Sequence, residues 1–318
     1  MTTLQTVQAN GITQRFAEAG DGPLVIMLHG FPESWYSYRH QLEALAEAGY
    51  HAVAPDMRGY GGTDAPGDVG QYTHLHTAGD VIALATALGA SRFVVVGHDW
   101  GSPAAAYVAL FRPDLVRGAA LLSVPYLPRG DTDVLTALTE AMGPDNYQVF
   151  FQEPGVAEKV FEADVRRSVL AWLIGISGDA PKTTRLDMAN ADTVVPDFSG
   201  YPLPKWLTEE DVAYYTVEFE RTGFAGALNW YRTSKLNFEL LAPWRFAPLL
   251  APSLFIAGER DPVVGWPGMR GLIDSLKSLS MPNLTRAVLL EGCGHWTQQE
   301  RPDQVNELLL GFLSALPA

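Results

Sequence analysis

The 318-residue chain has one cysteine, Cys293, so no disulfide can form within it. That economy fits a reducing compartment. Basic residues are scarce: 22 Lys and Arg stand against 36 Asp and Glu, a formal charge of −14. Such a balance argues against nucleic acid and anionic membrane surfaces, which both attract cationic patches. No apolar run approaches the ~18 residues of a membrane span. Met1 to Asn10 lacks the basic and apolar regions of a signal peptide, so a cytoplasmic protein is expected. Repeats, low-complexity segments and Gly-x-Ser-x-Gly are missing as well. The chain is not polar enough to be disordered, with 47% hydrophobic and 18% charged residues.

What is present is a rhythm of short apolar runs and helical patterns. A hairpin is expected over 3–18, turning at Asn10-Gly11, two residues that tolerate positive φ. Unbroken runs at 24–28, 51–54, 93–96, 116–123, 253–258 and 285–290 suit strands buried on both faces. Helical patterns at 36–48, 73–89, about 101–111, 268–278 and 302–315 separate them, which predicts a mostly parallel sheet flanked by helices. The rhythm breaks from about 126 to 245, where only helical stretches and a loop rich in Pro, Gly and Asp near 177–206 are found. The reading is a core of residues 1–125 and 246–318, with 126–245 inserted as a helical cap.

Chemistry collects where strands end. Gly97-His98-Asp99-Trp100-Gly101 lies between an apolar run and a helix, and its small outer residues permit a strained turn that presents the central side chain. Esterases of the α/β-hydrolase fold carry serine there. A carboxylate has a different use: attack on saturated carbon leaves an ester that water can cleave, whereas serine would leave an inert ether. Asp99 therefore points to displacement at an sp3 carbon. Its alternative role is a cap on the following helix. Glu291-Gly292-Cys293-Gly294-His295-Trp296 follows the last strand, which puts His295 third in the fold's order of nucleophile, acid, histidine. The acid is expected after the 253–258 run: Asp261, with Glu259 as the second choice. The other position, Ser123 to Pro128, holds no carboxylate. His29-Gly30-Phe31-Pro32 follows the first long buried run. Its Phe31 N–H and that of Trp100 are candidates for an oxyanion hole, with His29 structural and Pro32 a candidate cis proline.

These segments, with Asp56-Met57-Arg58-Gly59-Tyr60-Gly61, resemble the soluble epoxide hydrolases along nearly the whole chain. Two stretches of the inserted segment, 147–155 and 223–232, resemble those that carry the family's lid tyrosines. The resemblance implies that Tyr147 and Tyr231 donate hydrogen bonds to the epoxide oxygen, and a phenol, protonated at neutral pH, suits that task. It also implies a small apolar epoxide and water as reactants, with no metal or organic cofactor. The 318 residues leave no length for the extra N-terminal phosphatase domain of mammalian members.

Two rival activities remain. Haloalkane dehalogenases are similar but carry asparagine where Phe31 stands, and fluoroacetate dehalogenases carry arginine where Trp100 stands. A non-catalytic small-molecule-binding protein of this fold is the alternative from another class. Oligomeric state is not legible.

Overall fold

A computed structural model describes residues 1–181 and 193–317. Eight strands form one sheet: β1 (Thr3–Ala9), β2 (Ile12–Ala19), β3 (Leu24–Leu28), β4 (His51–Pro55), β5 (Phe93–His98), β6 (Val116–Leu122), β7 (Ser253–Gly258) and β8 (Leu284–Leu290). Their order is β1-β2-β4-β3-β5-β6-β7-β8. β2 runs antiparallel to both neighbours, and every pair from β4–β3 onward is parallel. The hairpin turns at Asn10 and Gly11, both at positive φ (52° and 76°), as its two-residue turn requires.

Helices cover both faces, which is why the central runs are apolar throughout. Side chains alternate across a strand, so each run feeds two cores. Ile26, Val95, Ala119 and Phe255 pack on one face with Val81 and Leu84 of α2 (His74–Ala87) and Ala105 and Val108 of α3 (Gly101–Phe111). Val25, Val94, Ala120 and Leu254 pack on the other with Leu42 and Leu45 of α1 (Arg39–Glu47). The C-terminal helix, Pro302–Ala315, joins this second core through Leu309 and Phe312. The helix expected at 36–48 starts at Arg39. A single tighter turn, Trp35–Tyr38, precedes it because the Ser34 side chain accepts the Tyr36 N–H and begins that turn instead.

Between β6 and β7 the described chain carries helices only: α4 (Val134–Met142), α5 (Tyr147–Phe150), α6 (Val156–Glu162), α7 (Val165–Gly175), α8 (Glu209–Thr222), α9 (Ala225–Arg232) and α10 (Ser234–Leu240). Part of the loop expected near 177–206 falls on 182–192, outside the described residues. Side-chain caps from Asp133, Asn146, Asp164 and Thr208 start four of these helices. α8 is fastened to the sheet domain. Arg15 bridges Asp56 and Glu218, Arg39 pairs with Asp211, and Tyr36 stacks on Tyr214 at 4.2 Å. The Trp230 indole N–H of α9 donates to the Arg58 carbonyl at 2.9 Å. Helices α7, α8 and α9 thus meet the loops that follow β3, β4 and β5 at the carboxyl ends of the parallel strands, where an open α/β sheet gathers functional groups.

Candidate active site

The turn after β5 holds Asp99 at φ +51°, a left-handed conformation that costs a non-glycine residue ~1–3 kcal/mol. Its neighbours make the bend possible. A Cβ at Gly97 would strike the Gly101 carbonyl, and one at Gly101 would strike the Leu28 carbonyl. Gly30 is bare for a related reason: a Cβ there would occupy the position of the Asp99 side chain. That absence lets the loop after β3 close on Asp99, and Phe31 N–H donates to Asp99 Oδ1 at 2.8 Å. The Phe31–Pro32 peptide is cis. Trp100 opens α3, whose first N–H groups have no partner inside the helix.

Asp99 Oδ2 faces the imidazole, with His295 Nε2 at 3.5 Å. His295 Nδ1 lies 3.1 Å from Asp261 Oδ1 on the loop after β7. The structure therefore brings Asp99, His295 and Asp261 into one line. Glu259, two residues before Asp261, is exposed and takes no part. Exposure grades along the line: the Asp261 side chain is 0% open, that of His295 4% and that of Asp99 15%. The carboxylate nearest a reactant is the one that solvent or substrate can reach.

The charges reinforce one another. Burial opposes ionisation of Asp99. The His295 hydrogen bond and charge, His98 and the Phe31 N–H outweigh it and hold Asp99 below the usual carboxylate range. Burial also opposes a proton on His295, but Asp261 and Asp99 raise its proton affinity well above that of ordinary imidazole. Each group thus favours the charged form of the other.

Two features here have no counterpart in the sequence reading. His98 Nδ1 is 2.7 Å from Glu33 Oε2 and its Nε2 is 2.8 Å from the His295 carbonyl, so both ring nitrogens face acceptors. Glu33 also accepts from Gly30 N–H, Gln298 and Gln299, all at 3.0 Å. Burial pushes its carboxyl up, and His98 with these donors pulls it below its ordinary value. The signal was faint: Glu33 directly follows the His29–Pro32 loop, and His98 precedes Asp99. The second feature is Ser123, whose hydroxyl contacts both Asp261 and His295. His29 is structural, accepting Met57 N–H at Nε2 (2.9 Å), and burial lowers its proton affinity.

Across from Asp99 stand aromatic side chains of the helical segment. Tyr231 of α9 is buried, with its ring 4.9 Å from Trp100, 5.5 Å from Phe31 and 6.0 Å from Tyr147. Burial, then Tyr147 and Asp99, push its phenol well above the ordinary value, so it stays protonated. Tyr147, first residue of α5, is half-buried, and its oxygen accepts from Gln148 Nε2 at 3.2 Å. Phe151 and Trp172 complete an apolar wall around Phe31. Among the described residues, no group of three or more His, Cys, Asp or Glu is placed to hold a metal ion, and no helix is long and apolar enough to cross a membrane.

Residues 23–302 match the alpha/beta hydrolase fold family. The chain is 40% identical over 319 residues to epoxide hydrolase 3 of Siraitia grosvenorii, covering 97% of each protein. It is 40% identical over 322 residues to epoxide hydrolase A of Mycobacterium tuberculosis, covering 99% of this chain and 98% of the relative. The structure of an epoxide hydrolase from an endophytic Streptomyces superposes with a TM-score of 0.93 at 44% identity, over 98% of this chain and 95% of that one. With an aspartate at the strained turn and a histidine against it, the chain belongs to the epoxide hydrolases of the α/β-hydrolase family.

Proposed function

We propose that the chain converts small apolar epoxides to vicinal diols in two steps through an ester on Asp99, with residues 126–245 as the cap that closes over the reactant. The observation that carries this is the division of labour between the two Asp99 oxygens. Oδ1 accepts the Phe31 N–H, while Oδ2 is turned toward His295.

In the first step Oδ2 attacks an epoxide carbon from behind. The C–O bond of the ring breaks, and the departing oxygen takes a proton from Tyr231 or Tyr147, leaving a phenolate. Esterification removes the charge of Asp99, one of two carboxylates holding the His295 proton. The imidazolium then gives up that proton, which balances the phenolate, and becomes a neutral base.

In the second step His295 Nε2 takes a proton from water, and the oxygen attacks the Asp99 carbonyl carbon. Oδ1 already lies on the Phe31 N–H, so negative charge develops where a donor waits; Trp100 N–H is the second donor. The carbonyl carbon's bond to Oδ2 breaks. The diol departs carrying the original Oδ2, protonated by His295, and the water oxygen remains in Asp99. Each bond broken is matched by one formed, and no oxidant or metal enters.

The test is His295→Gln with styrene oxide. Intact-mass analysis should find an adduct of one substrate mass on Asp99 and diol formation slowed by ~1,000-fold or more. An unmodified Asp99, or halide release from a haloalkane exceeding diol formation in the parent protein, contradicts the proposal.

A further inference from the structure

The strand end without a carboxylate is nevertheless part of the base. Ser123 follows β6, is fully buried, and sits at φ +69°, a conformation that serine adopts only when its surroundings enforce it. Its N–H donates to the Ile256 carbonyl of β7 at 2.8 Å, which pins the backbone. Its Oγ then lies 2.5 Å from Asp261 Oδ2 and 3.0 Å from His295 Nδ1.

The proton inventory decides the direction of these bonds. A base that receives water at Nε2 must carry its own hydrogen on Nδ1, so Nδ1–H is shared between Asp261 Oδ1 at 3.1 Å and Ser123 Oγ. The single hydroxyl hydrogen is therefore left for Asp261 Oδ2. Val263 N–H occupies Oδ1 as well, at 2.9 Å.

We propose that Ser123 is a positioning residue that sets how tightly His295 holds its proton, by donating to Asp261 and spreading that carboxylate's charge. This rests on the two-step reading above. Two effects of the hydroxyl oppose each other. Its lone pair supports Nδ1–H, which favours imidazolium; its hydrogen withdraws charge from Asp261, which disfavours it. The bond to Asp261 is short and made to an ion, while the contact with Nδ1 is longer and shared, so the second effect dominates. Without the hydroxyl, Asp261 would hold the imidazolium harder, and the ester would wait longer for a neutral base. The other titratable groups facing the imidazole are Asp99 across Nε2 and His98, with its ring at 4.9 Å and Glu33 behind it. All of them remain when Ser123 is changed.

The experiment measures formation and decay of the Asp99 ester separately, by rapid quench and intact mass with styrene oxide, across the pH range in which decay is half-maximal. Ser123→Ala and Ser123→Gly are compared with the parent; glycine suits the left-handed backbone and keeps one variant free of strain. Formation should change by no more than about twofold, while the decay midpoint rises by about one pH unit, so that below it decay slows by about tenfold. Ser123→Cys, a weaker donor, should fall between. A decay midpoint unmoved in both variants, or equal slowing of formation and decay at every pH, overturns the proposal. A parent enzyme that never carries an ester on Asp99 instead overturns the two-step reading and takes this inference with it.

Discussion

The two sides of the active site are built on different principles. The core side presents Asp99, His295 and Asp261 from loops at the ends of β5, β8 and β7, with glycines closing around the Asp99 turn, His295 and Asp261 buried, and Asp99 partly open. The cap side presents Tyr231 from α9 and Tyr147 from α5, a single helical turn, and relies on ring packing and on links such as Arg15–Glu218. A nucleophile and base must meet at fixed distance, which strand ends supply. Proton donors to a departing oxygen tolerate more latitude and suit a surface that adapts to the reactant.

This contrast predicts unequal consequences of substitution. Asp99→Asn should give the largest effect, lowering turnover by ~10,000-fold or more with the fold intact, read from diol formation and circular dichroism. Next, Tyr231→Phe and Tyr147→Phe should each slow ester formation by about 10–100-fold and leave ester decay nearly unchanged, Tyr231→Phe being the more severe because its phenol is buried against Asp99. Equal damage to both steps would erase the distinction between the two sides.

The pH response sharpens it further. A phenol whose proton affinity is raised by burial keeps its donor form above the ordinary value of 10.0, and Asp99, held low, keeps its charge below 3.8. Ester formation should therefore show no alkaline decline by about pH 10 in single-turnover measurements on a fold that survives there. The smallest effect is expected at the joint: Glu218→Gln should lower stability by about 1 kcal/mol or less, seen as a small shift of the urea midpoint, since Arg15 retains Asp56.

The same division governs what could be read in the sequence. Asp99 stood out because glycines bracket it for steric reasons that structure makes explicit: a Cβ at Gly97, Gly101 or Gly30 collides with backbone or with Asp99 itself, whereas His295 stood out by its place after the last strand, third in the order. The sequence offered both Asp261 and Glu259 after the 253–258 run, and the place before Pro262 suited Asp261 equally to a plain turn residue; its buried turn, with Val263 N–H on Oδ1, is what aims it at the base. The strand rhythm was legible because parallel strands buried on both faces are apolar throughout. Tyr147 and Tyr231 carry no local signal; only likeness to a family singled them out among the chain's 12 tyrosines. Glu33 and His98 lie 65 residues apart and meet only through the β3–β5 pairing. Ser123 escaped because that strand end was scanned for carboxylates, whereas its contribution is a hydroxyl directed at a carboxylate from another strand.

The central claim concerns which atom of Asp99 leaves with the product. A single turnover in water enriched in 18O, with enzyme in excess over styrene oxide, separates the possibilities by peptide and product mass. The two-step account predicts heavy oxygen in the peptide containing Asp99 and an unlabelled diol from the first turnover. A labelled diol beside an unlabelled Asp99 would mean that water attacks the epoxide directly, and would contradict it.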